Sequence, residues 1–132
     1  EEFITQIHVN LSAPWLLTQA CLPVLQKAED ASVVFVAENL SRVNKAYWGA
    51  YGVAKAGMEA LVSILHDETE HSSVRVCALQ PGPMRTSIRA RAYVEEAATH
   101  CPEPANYAPA CVYLLSAAGS EFRGQILRPT LS

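Results

Sequence analysis

The chain has 132 residues, of which 50% are hydrophobic and 17% are charged, and its formal net charge is −3 at pH 7. Such a length and composition are typical of one globular domain, and the scattered basic residues form no stripe that would bind nucleic acid. No apolar run approaches the ~20 residues that span a bilayer. Because the acidic N-terminus also argues against a signal peptide, we expect a cytoplasmic protein with no membrane partner.

The cysteines and histidines show none of the spacings that metal or redox motifs use. Three of the cysteines lie in apolar runs, so we expect buried, reduced thiols. One histidine is next to a cysteine, but no further ligand stands near that pair, and we expect no metal site. The residues considered are Cys21, Cys77, Cys101, Cys111, His8, His66, His71 and His100.

The N-terminal part of the chain predicts a helix followed by a strand. Residues 1–28 carry apolar side chains at helical spacing, with acids at the start that suit the helix dipole. Pro14 and Pro23 fall inside this pattern, so a kinked helix and two separate segments are both compatible with it. Residues 32–37, SVVFVA, form an apolar run without alternation, which predicts a strand covered on both faces.

Helices and strands continue to alternate along the rest of the chain. A polar loop, ENLSRVNKAY, leads to a second predicted helix over about residues 48–70. Residues 74–80, VRVCALQ, predict a second strand that ends at the turn PGP. Residues 84–104 are mixed and irregular, a third helix fits residues 106–118, and a short strand fits residues 124–129.

This order of elements predicts the fold class. Strands separated by helices favour right-handed crossovers and a parallel sheet, hence an α/β layer of about three strands. Three strands are few for a doubly wound domain, and the first of them would form an open edge unless something pairs with it. We therefore expect residues 1–132 to form a single, partial domain.

Two residues in the segment YWGAYGVAKAGMEAL could transfer protons, namely Tyr51 and Lys55. Residues four apart on a helix share a face, with Cβ atoms ~6 Å apart. A phenol has a reference pKa of ~10, and a nearby ammonium favours the phenolate and lowers that pKa. Such a pair can give or take a proton where a carbonyl becomes an alcohol. The spacing alone, however, favours a structural pair.

Three motifs occur in a fixed order, namely VNLS in the first helix, WGAYGVAKAG in the second, and LQPGPMRT after the second strand. Together they resemble the C-terminal half of the short-chain dehydrogenase/reductase family, over nearly the whole chain. WGAYGVAKAG and LQPGPMRT are especially similar to a bacterial subgroup of cytoplasmic oxidoreductases. The resemblance implies a partial Rossmann-like fold and an NAD- or NADP-dependent oxidoreductase that acts on a small-molecule carbonyl or alcohol.

The resemblance also implies roles for the residues of the first two motifs. The family's tyrosine is its general acid/base, which places that role on Tyr51. The family's lysine lowers the pKa of the tyrosine and binds the nicotinamide ribose, which places those roles on Lys55. The asparagine of VNLS, Asn10, would anchor a water molecule in the proton relay, although the residues alone favour a surface asparagine.

The third motif matches the family's P-G-x-x-x-T segment, which lies against the nicotinamide ring. The resemblance therefore implies that Pro81, Gly82 and Thr86 contact the cofactor. A position after a strand suits this role, because ligands of open α/β sheets bind at the carboxyl ends of the strands. A plain turn that ends a strand would explain PGP equally well, but it would not explain Thr86. Residues 87–104 would then cover the substrate.

One internal position departs from the family pattern. The catalytic serine of the family stands at the end of the first predicted strand, where this chain has Glu38. An ionised carboxylate can only accept hydrogen bonds, and its charge would raise the pKa of Tyr51. Losing one donor to a developing oxyanion costs ~10²–10³ in rate. Ser41 follows three residues later and is the alternative hydroxyl.

The glycine-rich turn T-G-x-x-x-G-x-G, which holds the cofactor pyrophosphate in the family, does not occur among the six glycines of this chain. We therefore expect the chain alone to bind NAD or NADP weakly or not at all. Two interpretations stay open, namely part of an oxidoreductase that needs a complementary half, and a non-enzymatic interaction module. In either case we expect a homodimer through the helices at about residues 1–28 and 48–70.

Overall fold

The centre of the fold is one sheet of three parallel strands in the order β1-β2-β3. The structure is a computed structural model that describes residues 1–95 and 100–131. The strands are β1 (Ala31–Val36), β2 (Val74–Leu79) and β3 (Ile126–Leu127). The α/β class and the parallel sheet expected from the sequence are confirmed. The first two strands lie within one residue of their predicted bounds, whereas the third is shorter than predicted.

The middle strand explains the apolar runs in the sequence. All residues of β2 are buried, so its sequence shows no alternation between polar and apolar side chains. β1 pairs with β2 from Ala31 opposite Val74 to Val36 opposite Leu79. Among the described residues, no strand pairs with the other edge of β1. The predicted open edge is therefore present.

The first predicted helix is one continuous helical segment with an irregular middle. It comprises α1 (Glu2–Ile7), a π-helical stretch (His8–Ser12) and α2 (Ala13–Leu25). The backbone stays helical at both junctions, and the amide of Ala13 donates to the carbonyl of His8, five residues earlier. Pro14 has no N–H and would clash with the carbonyl four residues before it, so the wider π turn accommodates the proline. The prolines therefore do not separate two helices.

Two short helices lie where the sequence predicted none. α3 (Leu40–Val43) occupies the predicted polar loop and begins where the Asn39 side chain accepts a hydrogen bond from the Ser41 amide. α5 (Ser87–Ala92) lies within the stretch that was expected to be irregular. Helices this short carry too few apolar positions for a periodicity to show, so their polar N-caps are their main signal. Residues 96–99 of that stretch lie outside the described residues.

The two remaining helices match their predictions more closely. α4 (Ala50–Thr69) begins two residues later than predicted, after Gly49, whose φ of +51° is unfavourable for other residue types. α6 (Ala108–Leu115) is shorter than the predicted helix at 106–118. It is flanked by tight 3₁₀ turns at Pro104–Tyr107 and Ala117–Phe122 instead of extending through them.

The core lies on both faces of the sheet, as expected for buried parallel strands. On one face α4 contributes Met58, Val62 and Leu65, which pack against Val74 and Val76 of β2. On the other face Leu114 of α6 packs against alternate residues of β2. The helix that carries Tyr51 and Lys55 is therefore fixed against the sheet along its length.

Within residues 1–95 and 100–131, no helix is long and apolar enough to cross a bilayer. In the same residues, no group of three or more potential ligand side chains could hold a metal ion. Cys77 is buried, as predicted, whereas Cys111 is only half-buried; Cys101, outside the apolar runs, is buried as well. Cys21 is exposed, which corrects that expectation, because it lies off the stripe of α2 that packs on the core through Leu22 and Leu25.

Candidate active site

Helix α4 holds Tyr51 and Lys55 on one face, beside the carboxyl end of β1. The Lys55 Nζ lies 5.7 Å from the centroid of the Tyr51 ring. The same Nζ donates a hydrogen bond of 3.1 Å to the carbonyl oxygen of Val36, the last residue of β1. The helical spacing in the sequence thus brings the phenol and the ammonium together, and the end of the strand fixes the position of the ammonium.

Glu38 follows β1 and binds the phenol directly. Its Oε2 accepts a hydrogen bond of 3.1 Å from the Tyr51 hydroxyl, and its Oε1 accepts one of 2.9 Å from the Asn39 amide. The carboxylate therefore stands where the sequence analysis expected it to oppose Tyr51. Because a carboxylate accepts and does not donate, it cannot polarise a substrate carbonyl as a serine hydroxyl would.

The surroundings of Tyr51 keep its phenol neutral. Burial, followed by the charge of Glu38 and the hydrogen bond to it, raises the pKa of Tyr51 to about 12. Burial also lowers the pKa of Lys55, and the charge of Glu38 opposes that decrease. The lysine therefore does not give Tyr51 the lowered pKa that the sequence analysis expected. At neutral pH the phenol carries its proton.

A cavity of about 800 Å³ opens at this edge of the sheet, where β1 and β2 end. Its walls come from the start of α4, from the segment after β2, and from α3 and α5. Six of the residues singled out in the sequence line it, namely Glu38, Tyr51, Lys55, Pro81, Gly82 and Thr86. Such a location is usual for ligand sites of open α/β sheets.

Asn10, in the π-helical stretch, does not line this cavity. Its Nδ2 donates to the backbone carbonyl and to the side-chain oxygen of Gln6, at 3.1 and 3.0 Å. Gln6 itself does line the cavity. The structure therefore links Asn10 to the site through Gln6, and a role in a water relay stays a prediction.

Two residues of the third motif have structural roles of their own. A Cβ on Gly82 would lie 2.6 Å from the Tyr107 hydroxyl, which donates to the Pro83 carbonyl, so a larger residue would require the Tyr107 side chain to shift. The Thr86 side chain caps α5 by accepting a hydrogen bond of 3.1 Å from the Arg89 amide. The threonine that a plain turn could not explain is thus accounted for by a helix cap.

Removal of this cap should loosen α5. We expect Thr86→Ala to destabilise the helix by about 1 kcal/mol, because the Arg89 amide loses its acceptor. Hydrogen exchange at that amide should become faster, whereas Thr86→Ser, which keeps the hydroxyl, should leave the exchange rate near that of the wild type. Unchanged exchange in Thr86→Ala would show that the cap contributes nothing.

Ser41 does not replace the missing serine. Its hydroxyl donates to Asn39 Oδ1 at 2.7 Å, its side chain is exposed, and it is not among the residues that line the cavity. The local turn at the start of α3 therefore holds this hydroxyl away from Tyr51.

Sequence reasoning missed an aromatic and cationic wall of the cavity. The Trp48 ring lies 5.7 Å from the Tyr51 ring and 6.3 Å from the Tyr93 ring, measured between centroids. The guanidinium groups of Arg42 and Arg89 lie 5.2 and 4.4 Å from the centroid of the Tyr93 ring. Arg89 and Tyr93 belong to α5 and its C-cap, whereas Arg42 lies on α3 and Trp48 precedes α4, so the sequence gives no pattern that would bring all four together.

Comparisons with known proteins agree with this fold. A family model described as short chain dehydrogenase matches residues 1–97. The uncharacterized oxidoreductase YciK of Escherichia coli K12 is 36% identical over 109 residues, which are 83% of this chain and 43% of that protein. A solved structure of a short chain dehydrogenase from Pseudomonas syringae is 40% identical with a TM-score of 0.91, and the match covers 97% of this chain and 52% of that one.

A further solved structure, a short chain dehydrogenase from E. coli CFT073 complexed with NADPH, is 33% identical with a TM-score of 0.86. That match covers 92% of this chain and 50% of the other. The chain belongs to the short chain dehydrogenase family, as its motifs suggested. It spans about half the length of the relatives it matches.

Proposed function

We propose that residues 1–132 form the nicotinamide-facing and substrate-facing half of an NAD- or NADP-dependent oxidoreductase that acts on carbonyl or alcohol substrates. This proposal rests on one observation: Tyr51, Lys55 and residues of the Pro81–Thr86 segment line the same cavity. Lys55 has three N–H donors, and the Val36 carbonyl uses one of them. The remaining donors fit a ribose hydroxyl.

In the proposed reaction the cofactor supplies or accepts the hydride, and the chain handles the proton. The Tyr51 hydroxyl donates its proton to the carbonyl oxygen during reduction and becomes a phenolate, and in oxidation the phenolate accepts the proton of the alcohol. With its pKa raised to about 12 by burial and by Glu38, Tyr51 is protonated at neutral pH. This is the form from which the proton is donated to the carbonyl oxygen in reduction.

A second candidate function is that of a non-enzymatic interaction module. It is favoured by one observation, the hydrogen bond from the Tyr51 hydroxyl to Glu38, which occupies the proton donor with an internal acceptor. A proton-transfer group that is held in this way is a poor catalyst unless the substrate displaces the carboxylate. The two candidates differ in whether a nicotinamide binds beside Lys55.

Calorimetric titration of the chain with NADPH, NADH and reduced nicotinamide mononucleotide tests the proposal. Because the chain has no glycine-rich turn for the pyrophosphate, we expect all three to bind with similar dissociation constants, weaker than about 100 μM. Lys55→Gln should weaken all three equally, and Lys45→Gln, an exposed lysine outside this cavity, should weaken none. Absence of binding at millimolar concentrations would contradict the oxidoreductase proposal and leave the interaction module.

We also propose a homodimer formed through α1, α2 and α4. Large apolar side chains on these helices are exposed in the single chain, namely Phe3, Ile4, Leu16, Leu17, Val24, Val53 and Ile64. A two-fold interface would cover the same patch on both copies. A monomer in sedimentation equilibrium would contradict this proposal.

A further inference from the structure

The wall of the cavity around Tyr93 carries a cation that the proton-transfer chemistry does not use. Arg42 Nη2 donates a hydrogen bond of 2.7 Å to the Tyr93 hydroxyl, and the guanidinium also lies over the Tyr93 ring. Arg42 is half-buried and lines the cavity. Within the described part of the chain, no carboxylate forms an ion pair with it. Its planar group has five N–H donors, of which this bond uses one.

A row of aromatic rings lies between Arg42 and Tyr51. Trp48 contacts both Tyr51 and Tyr93, with centroid distances of 5.7 and 6.3 Å. A small molecule that lies along Trp48 can therefore reach the Tyr51 hydroxyl with one end and the Arg42 guanidinium with the other. Arg89 is a second cation that lines the same wall.

We propose that the substrate is a carbonyl compound that carries a carboxylate, with the carbonyl at Tyr51 and the carboxylate at Arg42. This inference rests on the proposed function, since it names the substrate class of the same cavity. A planar carboxylate matches the fork of a guanidinium, and such charge-assisted hydrogen bonds are stronger than neutral ones. Glu38, beside Tyr51, repels a carboxylate from that end. The two charges therefore fix the orientation of the substrate.

A matched pair of ligands tests the inference without turnover. Para-acetylbenzoate and para-acetylbenzamide have the same ketone and nearly the same shape, but only the first carries a charge. Binding can be followed by the indole N–H resonance of Trp48, since the chain has two tryptophans and Trp48→Phe assigns the signals. We expect para-acetylbenzoate to bind about tenfold more tightly than the amide, as a charge-assisted hydrogen bond predicts.

Substitution of Arg42 should remove this preference. In Arg42→Gln we expect the two ligands to bind equally, whereas Arg91→Gln, an exposed arginine on α5 that does not line the cavity, should keep the tenfold ratio. A purely structural role of Arg42, as a support for Tyr93, would weaken both ligands alike and keep the ratio. That result would overturn the inference, as would equal binding of both ligands, or of neither, by the wild type.

A phosphate of the cofactor is the alternative anion. Nicotinamide mononucleotide carries that phosphate, so it is titrated into the wild type and into Arg42→Gln. We expect the variant to bind it as the wild type does, and an equal loss of mononucleotide and para-acetylbenzoate would overturn the inference. The cofactor titrations test the proposed function, and the ratio of para-acetylbenzoate binding to para-acetylbenzamide binding tests the substrate class. Either measurement can fail while the other gives the expected result, so the two failures are distinguishable.

Discussion

Substitution of Glu38 by glutamine or serine is expected to lower the pKa of Tyr51 by about one unit, which is a tenfold increase in its acidity. In the wild type, burial and then Glu38 raise that pKa to about 12. Both variants remove the charge, and burial remains, so the pKa should stay above the ordinary ~10 of a phenol. The sign follows from the charge, because a carboxylate beside a phenol opposes the formation of phenolate.

The ring-carbon NMR shifts of isotopically labelled tyrosine, followed against pH, measure this change. The chain has five tyrosines, so Tyr51→Phe identifies the signal of interest. Glu68→Gln, an exposed carboxylate on the same helix, is the matched control and should leave the pKa of Tyr51 unchanged. If Glu38→Gln also leaves it unchanged, the contact between Glu38 and Tyr51 has no electrostatic effect on the phenol.

Gly52 lies in α4, the helix that carries Tyr51 and Lys55, and its substitution is expected to change the stability of the fold. Gly52→Ala should lower the free energy of unfolding by about 1–3 kcal/mol, because the new Cβ would overpack a rigid neighbour. That Cβ would lie 2.3 Å from the backbone carbonyl oxygen of Val43 in α3. Alanine is the better helix former by about 1 kcal/mol, so helix propensity alone predicts the opposite sign.

Gly57→Ala on the same helix is the matched control for this prediction. There the Cβ would meet a side-chain atom, Cδ2 of Leu11, at 2.9 Å, and a flexible side chain can move aside. We therefore expect Gly57→Ala to cost less than Gly52→Ala when both are measured by urea unfolding. A Gly52→Ala variant as stable as the wild type would show that α3 moves away from α4 without cost.

The sheet and the long helices could be predicted because their signals are repeated along the sequence. The stripe of α4 fixes the face that Tyr51 and Lys55 share, and the unbroken apolar run of β2 reflects burial on both faces. The effect of the Glu38 charge, which raises the pKa of Tyr51, could also be predicted from the position and charge of Glu38. The structure adds the hydrogen bond between the two side chains.

Other features depend on single local contacts or on distant pairs. The π turn follows from one proline, and α5 depends on one capping side chain, that of Thr86. Asn10 donates to Gln6 within its own helix, which no pattern of apolar residues indicates. Arg42 and Tyr93 are brought together by packing across 51 positions of sequence. The catalytic and cofactor roles of Tyr51, Lys55, Asn10, Pro81, Gly82 and Thr86 stay predictions.

The most direct test of the proposed site measures hydride transfer in a chimera. In it, this chain replaces the matching half of the NADPH-complexed relative from E. coli CFT073, which supplies the rest of the domain. We expect Glu38→Ser to raise the rate of NADPH-dependent reduction of para-acetylbenzoate by ~10²–10³, because a hydroxyl donor replaces a carboxylate next to the developing oxyanion. Adding Tyr51→Phe should abolish that gain. An equal rate in the chimeras with and without Glu38→Ser, or a gain that survives Tyr51→Phe, would contradict a proton-transfer site at Tyr51.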